Sequence, residues 1–260
     1  MYYNLQVHSA YDLLNSTIKY ESLFSKLAKD NQKSVVIVDS NMYGAIKAHK
    51  EAKKSGVNLI QGLEVSLGYG IGLLKFNILC KSEKMFYKLL EISTKFMNEE
   101  EWTVENFANE MIDYKDDFVL IVVDELRDSM EFSYLNNLLG KYNFYFGFNE
   151  SFQVSTYSFY ENIVYTKPSY YLNKEHYQQV IVSRAIRDNK KLNIQELTTI
   201  SGDEFVREQK DFEEIFTFDD EQLHSVFEKS FKNQKEIIDN CQYDLNFSGY
   251  HLPKYIYGEK

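Results

Sequence analysis

Short apolar runs alternate with amphipathic stretches through the first 95 residues. Residues 3–7 predict a strand ending at His8. Leu23, Phe24, Leu27 and Ala28 form one stripe of a helix predicted over 18–31. Residues 34–38 are a compact β-branched strand running into Asp39, and 43–55 a second helix closed by Gly56. A strand over 59–65 carries Glu64. After Gly68, Gly70 and Gly72, which read as a turn, come a strand over 73–79 and a helix over about 83–96.

The second half continues less regularly. Strands are predicted over 118–124 and 142–148 with a helix over 126–139 between them, then a strand over 162–166 and a helix over 174–186. Residues 203–220 are acidic and irregular and read as a surface excursion. A last helix spans about 220–240, and 250–260 reads as extended. There is no internal repeat. Buried strands separated by helices predict parallel βα units, in a barrel or a doubly wound sheet.

Composition adds limits. The 260 residues, 44% apolar, suffice for one well-buried domain. The abundance of Tyr (21) and Phe (19) with Asn, Lys and Ile, and only 2 Pro, is what an AT-rich genome produces, so it carries no functional weight. A net charge of -10 disfavours a domain built to grip phosphates, although it leaves room for a local basic patch. Cys80 and Cys241 lie far apart and read as free thiols of a reducing cytoplasm. The longest apolar run, 118–123, is too short to cross a bilayer.

His8, Asp39 and Glu64 each sit at or near the end of a different strand, where α/β folds place their sites. A histidine and two carboxylates converging there could bind a divalent metal, or they could be the ordinary polar residues of strand ends. There is no phosphate loop, no G-x-S-x-G elbow and no Cys-x-x-Cys pair. His49, on a lysine-rich helix face, and His176 read as surface residues, and Asp116 with Asp117 as a solvated turn.

Residues 5–16, LQVHSAYDLLNS, resemble the opening H-x-H-S-x-Y-S-L-L-D-G of the N-terminal PHP (polymerase and histidinol phosphatase) domain of bacterial DNA polymerase III alpha subunits. Residues 36–45, VIVDSNMYGA, are similar to the next motif, T-D-H-G-N-x-x-G-A, and 52–65, AKKSGVNLIQGLEV, to A-x-K-x-G-I-K-P-I-x-G-x-E-V. AIRDNKKL at 185–192 and HLPKY at 251–255 match later family stretches in order, so the resemblance spans essentially the whole chain.

The resemblance implies a distorted (β/α)7 barrel whose mouth, in intact members, holds a divalent metal cluster on His, Asp and Glu. Carried over residue by residue, that ligand set is degenerate. His8, Asp39 and Glu64 survive. Gln6, Asn15, Ser40, Lys75 and Tyr170 stand at vestigial ligand positions, with Pro168 where a further Asp belongs. Gln6, Asn15, Ser40, Lys75 and Tyr170 all carry hydrogen-bonding groups, and Lys75 would pair with Asp39 or Glu64. No metal, cofactor or catalytic residue is therefore expected in this domain.

The expected function is the PHP domain of a cytoplasmic replicative DNA polymerase, itself silent. Residues 1–250 would be that domain and 251–260 the start of the linker into the polymerase core of a longer chain. The parent would be a nucleotidyltransferase, but the palm motif P-D-x-D-x-D is absent here, so this chain alone should not polymerise. Its partners would be that core and other replisome proteins, with no strong direct DNA contact and no membrane. The alternatives are a metal-dependent PHP phosphoesterase or a 3′–5′ exonuclease.

Overall fold

A computed structural model describes residues 2–69, 72–98, 102–123, 130–139, 144–149, 161–193, 202–215 and 221–246. The expected linker at 251–260, and parts of the strands expected over 118–124 and 142–148, of the helix over 126–139 and of the stretch over 203–220, lie outside them.

Six strands form one curled sheet in sequence order: β1 (Ser34–Ile37), β2 (Asn58–Tyr69), β3 (Gly72–Cys80), β4 (Phe118–Val122), β5 (Phe144–Phe148) and β6 (Ile163–Tyr165). Val7 bridges Ile37 on one side and Ser169, just past β6, on the other, both in parallel. A seventh segment therefore joins the two edges of the sheet, and the barrel predicted from the sequence is present. The segment over 3–7 contributes this bridge and not a regular strand.

The staves are not all parallel. β1 runs with β2, and β4 with β5 and β6, but β3 is antiparallel to both β2 and β4. The cause is local: only two residues separate Tyr69 from Gly72, which pair across the two strands, and a connection that short can only make a hairpin.

Helices α1 (Tyr20–Lys29), α2 (Ala45–Ser55) and α3 (Glu83–Met97) follow the sequence closely. Gly56, at φ 69°, ends α2 in the left-handed region, and the Ser82 hydroxyl caps α3 by accepting from Met85 N. A further helix, α4 (Val104–Met111), capped by Thr103, is not predicted by the sequence pattern. α5 (Met130–Leu139), α6 (Tyr177–Arg187), α7 (Gln209–Ile215) and α8 (Glu221–Asn240) complete the set among the described residues.

Leu23, Phe24 and Leu27 of α1 and Ala48 and Ala52 of α2 pack against β1 from outside. The β2–β3 hairpin is covered by Phe86, Leu89, Phe107 and Met111. Inside, Val36, Ile60, Val119, Ile121 and Val164 meet Ile237 and Ile238 of α8. The stretch from 203 is not a surface excursion: Phe205 bridges Tyr171, and Val206, Arg207 and Phe212 are buried. Acidic positions between these anchors mask its apolar ones.

Candidate functional site

The C-terminal ends of the Val7 segment and β1, both parallel to β2, bring His8 and Asp39 to one mouth of the barrel. Glu64 arrives on β2, Lys75 on the neighbouring β3, and Tyr170 just after β6. The structure thus assembles the strand-end set singled out from the sequence.

His8 is fully buried and stands between two carboxylates. Its Nδ1 is 3.2 Å from Asp12 Oδ2 and its Nε2 3.7 Å from Glu64 Oε2. Neither nitrogen makes a hydrogen bond of ordinary geometry. The ring stacks on Tyr170 at 4.5 Å, and the Arg184 guanidinium lies 4.4 Å over the same tyrosine ring. Burial and the nearby carboxylates Glu64 and Glu204 push the Tyr170 hydroxyl well above its ordinary pKa.

Each carboxylate oxygen of Asp12, Asp39 and Glu64 faces a donor from the protein. Asp12 accepts from Ser40 Oγ on one oxygen and from Asn15 Nδ2 on the other, both at 2.8 Å. Asp39 accepts from Ser9 N and Ser9 Oγ, each at 2.5 Å, with Tyr20 OH 3.4 Å away. Glu64 pairs through Oε1 with Lys75 Nζ at 2.9 Å and accepts from Gln6 Nε2 at 3.4 Å on Oε2. Of the two carboxylates considered for Lys75, Glu64 takes it. Gln6 is oriented in turn by Thr166, whose hydroxyl donates to its Oε1 at 3.1 Å.

These environments divide the carboxylates electrostatically. Burial raises the Asp12 pKa, but the adjacent His8 ring and the hydrogen bonds from Asn15 and Ser40 outweigh it, and the net shift is downward. Burial dominates at Asp39, which is pushed up to about 6 although Ser9 and His8 oppose the rise.

Asp12 is not among the residues the sequence points to. It lies four residues after His8 in an irregular turn, where a helical or strand period gives no hint of its direction. Together His8, Asp12 and Asp39 offer one ligand atom each within 4.8 Å of one another, the one such group found among the described residues. His49 is another departure from expectation. It is half-buried against the edge of the Phe86 ring, 5.5 Å away, with Tyr243 OH 3.5 Å from its Nε2. Burial lowers its pKa to about 4. No helix among the described residues is long and apolar enough to cross a membrane.

The chain is similar over 97% of its length to the DNA polymerase III subunit alpha of Staphylococcus epidermidis, at 24% identity across 257 residues, and spans 22% of that protein. It is 40% identical over 73 residues to the DNA polymerase III subunit alpha of Borreliella burgdorferi, covering 28% of this chain and 6% of that one. The chain thus spans about a fifth of the length of the curated relatives it matches most fully. Among solved structures, a putative metal-dependent phosphoesterase from Bifidobacterium adolescentis aligns over 82% of this chain and 95% of its own, at 7% identity and a TM-score of 0.39. The PHP domain family matches residues 4–190, which include every residue of the mouth, and the chain belongs to that family.

Proposed function

We propose that this chain is a catalytically silent PHP domain that acts as a structural and interaction module of a longer replicative DNA polymerase. The polymerase assignment is supported by relatives that align with nearly all of the chain and continue well beyond it. On this reading its partner is the polymerase core of the same chain.

One observation carries the silent reading. Six carboxylate oxygens line the mouth, and all six already face protein donors. Four of those donors, Gln6, Asn15, Ser40 and Lys75, stand where the resemblance puts metal ligands. A zinc ion takes about four ligands and larger hard cations about six to eight. To collect even His8, Asp12 and Asp39, an ion would have to share oxygens that already accept from Ser9, Ser40 and Asn15. The Lys75 ammonium, fixed beside Glu64, also opposes a second positive charge. The residues present do not fit a tightly held divalent ion.

The second reading, hydrolysis at a metal, is favoured by His8, whose buried ring nitrogens lack good hydrogen bonds beside two carboxylates. Thermal unfolding with added Mn²⁺ or Zn²⁺, with metal content measured after chelator-free purification, separates the two. The silent reading expects no stoichiometric metal and no stabilisation. Tight binding would raise stability by several kcal/mol at about a thousandfold excess over Kd. Stoichiometric metal lost in His8→Ala would overturn the proposal.

A further inference from the structure

The net charge of -10 conceals a segregated surface. Residues 19–58 carry eight lysines against four carboxylates, a local +4, and one of those carboxylates, Asp39, is buried. The remaining 21 basic and 35 acidic residues leave the rest of the chain at -14. The surplus gathers on α2. Its inner face is made of the small residues Ala45, Ala48 and Ala52, and its outer face exposes Lys47, Lys50, Lys53 and Lys54. Glu21 and Glu51 pair with Lys47 and Lys54, but such exposed pairs are weak and leave the face cationic.

Tyr43 precedes this helix in the same stripe, one turn before Lys47, and its side chain is 68% exposed. Its backbone is fixed, since Tyr43 N donates to Asn41 Oδ1 at 3.0 Å and the Asn41 amide holds Tyr11 O at 2.9 Å. An exposed ring followed by cations at intervals of about 5.4 Å along a helix matches how single strands are held, a base stacked on the ring and successive phosphates on the lysines. A duplex offers no unstacked base to such a ring.

We infer that the outer face of α2 is a contact track for single-stranded nucleic acid, with Tyr43 as the stacking platform and Lys47, Lys50 and Lys54 on the backbone. This goes beyond the proposed function and stands whether or not the mouth binds metal, because it uses none of the mouth's residues.

The test is fluorescence anisotropy of a labelled oligothymidylate titrated with the chain at two or more salt concentrations. A triple variant Lys47→Gln/Lys50→Gln/Lys54→Gln should bind at least tenfold more weakly. The slope of log affinity against log salt should fall by about 2, since each phosphate that lysine no longer neutralises removes about 0.7. Tyr43→Ala should weaken binding several-fold with the slope unchanged. The control Lys232→Gln/Lys235→Gln, on exposed positions of α8, should bind as the unaltered chain does. Circular dichroism melts establish that each variant is folded, which solvent-facing substitutions favour. Equal binding by the triple variant, equal weakening in the control, or preference for a duplex of the same length would each overturn the inference, as would no binding by the unaltered chain at low salt.

Discussion

Lys75 Nζ lies 2.9 Å from Glu64 Oε1, so a cation belonging to the chain itself neutralises a carboxylate at the barrel mouth. Glu64 is mostly buried, with its side chain 10% exposed, while Lys75 is 39% exposed. Removing the lysine alone should therefore cost more than its own exposed pairing would, because Glu64 is left with the longer bond from Gln6. Lys75→Met should destabilise by about 1–2 kcal/mol after allowance for solvent screening. The double variant Lys75→Met/Glu64→Gln should cost less than the two single changes summed. Urea unfolding of the four proteins checks this, and strict additivity would refute the coupling.

Gly44 is required by close approach and not by its backbone angles, since its φ is -88°. A Cβ there would overlap the Tyr20 hydroxyl and come 2.6 Å from the Tyr11 ring. Tyr20 OH in turn contacts Ser9 and Asp39. Gly44→Ala should thus destabilise by about 1–3 kcal/mol by overpacking, and alanine is also a poorer N-cap than glycine at this position. A melting temperature at or above that of the unaltered chain would show that Tyr20 can move aside at no cost.

Much of this architecture is legible in the sequence because the strands are short, β-branched and separated by strongly periodic helices. β1, α2 and α3 lie within two residues of their predicted bounds for that reason. The reversal of β3 is less legible, since a strand's apolar run does not encode its direction and only the two-residue spacing between Tyr69 and Gly72 does. Glu64, Lys75 and Gln6 can be placed at one mouth through the resemblance. Asp12 cannot, because its partner His8 reaches it through an irregular turn whose course depends on Ser16 Oγ bonding both His8 O and Tyr170 O. The burial of His49 is hidden because three of its neighbours on α2 are lysines, while Phe86 and Tyr243, which bury it, lie far away in sequence.

The Asp12 carboxylate is the hub of the other half of the mouth. It faces His8 and accepts from Asn15, which is itself bonded by Arg187 Nη1 at 3.1 Å. Asp12→Ala leaves the buried His8 ring without its Nδ1 neighbour and strips Ser40 and Asn15 of an acceptor. A destabilisation of about 2–4 kcal/mol is expected by denaturant unfolding. Asp12→Asn should cost less, since one oxygen remains to accept from Ser40. The opposite ranking would mean that Asp12 is not acting as an acceptor.

Two buried groups should oppose one another as pH changes. Asp39 titrates near 6 when folded and near its ordinary 3.8 when unfolded. Between those values the folded chain holds more protons, so this group makes stability fall as pH rises, by about 2–3 kcal/mol over the window. His49 has the reverse sign. It titrates near 4 when folded and near 6.5 when unfolded, so the unfolded chain holds more protons and stability rises with pH, by about 1–3 kcal/mol. The windows overlap almost completely, and stability between pH 4 and 6.5 should be nearly flat on their account. The cancellation becomes visible when either group is removed. His49→Phe, which keeps a ring against Phe86, should leave a stability that falls from pH 4 to 6. Asp39→Asn should leave one that rises from pH 4 to 6.5, even if its overall stability is lower. Unfolding free energies at four pH values for the three proteins decide the matter. Parallel curves would mean that neither burial alters the titration as described.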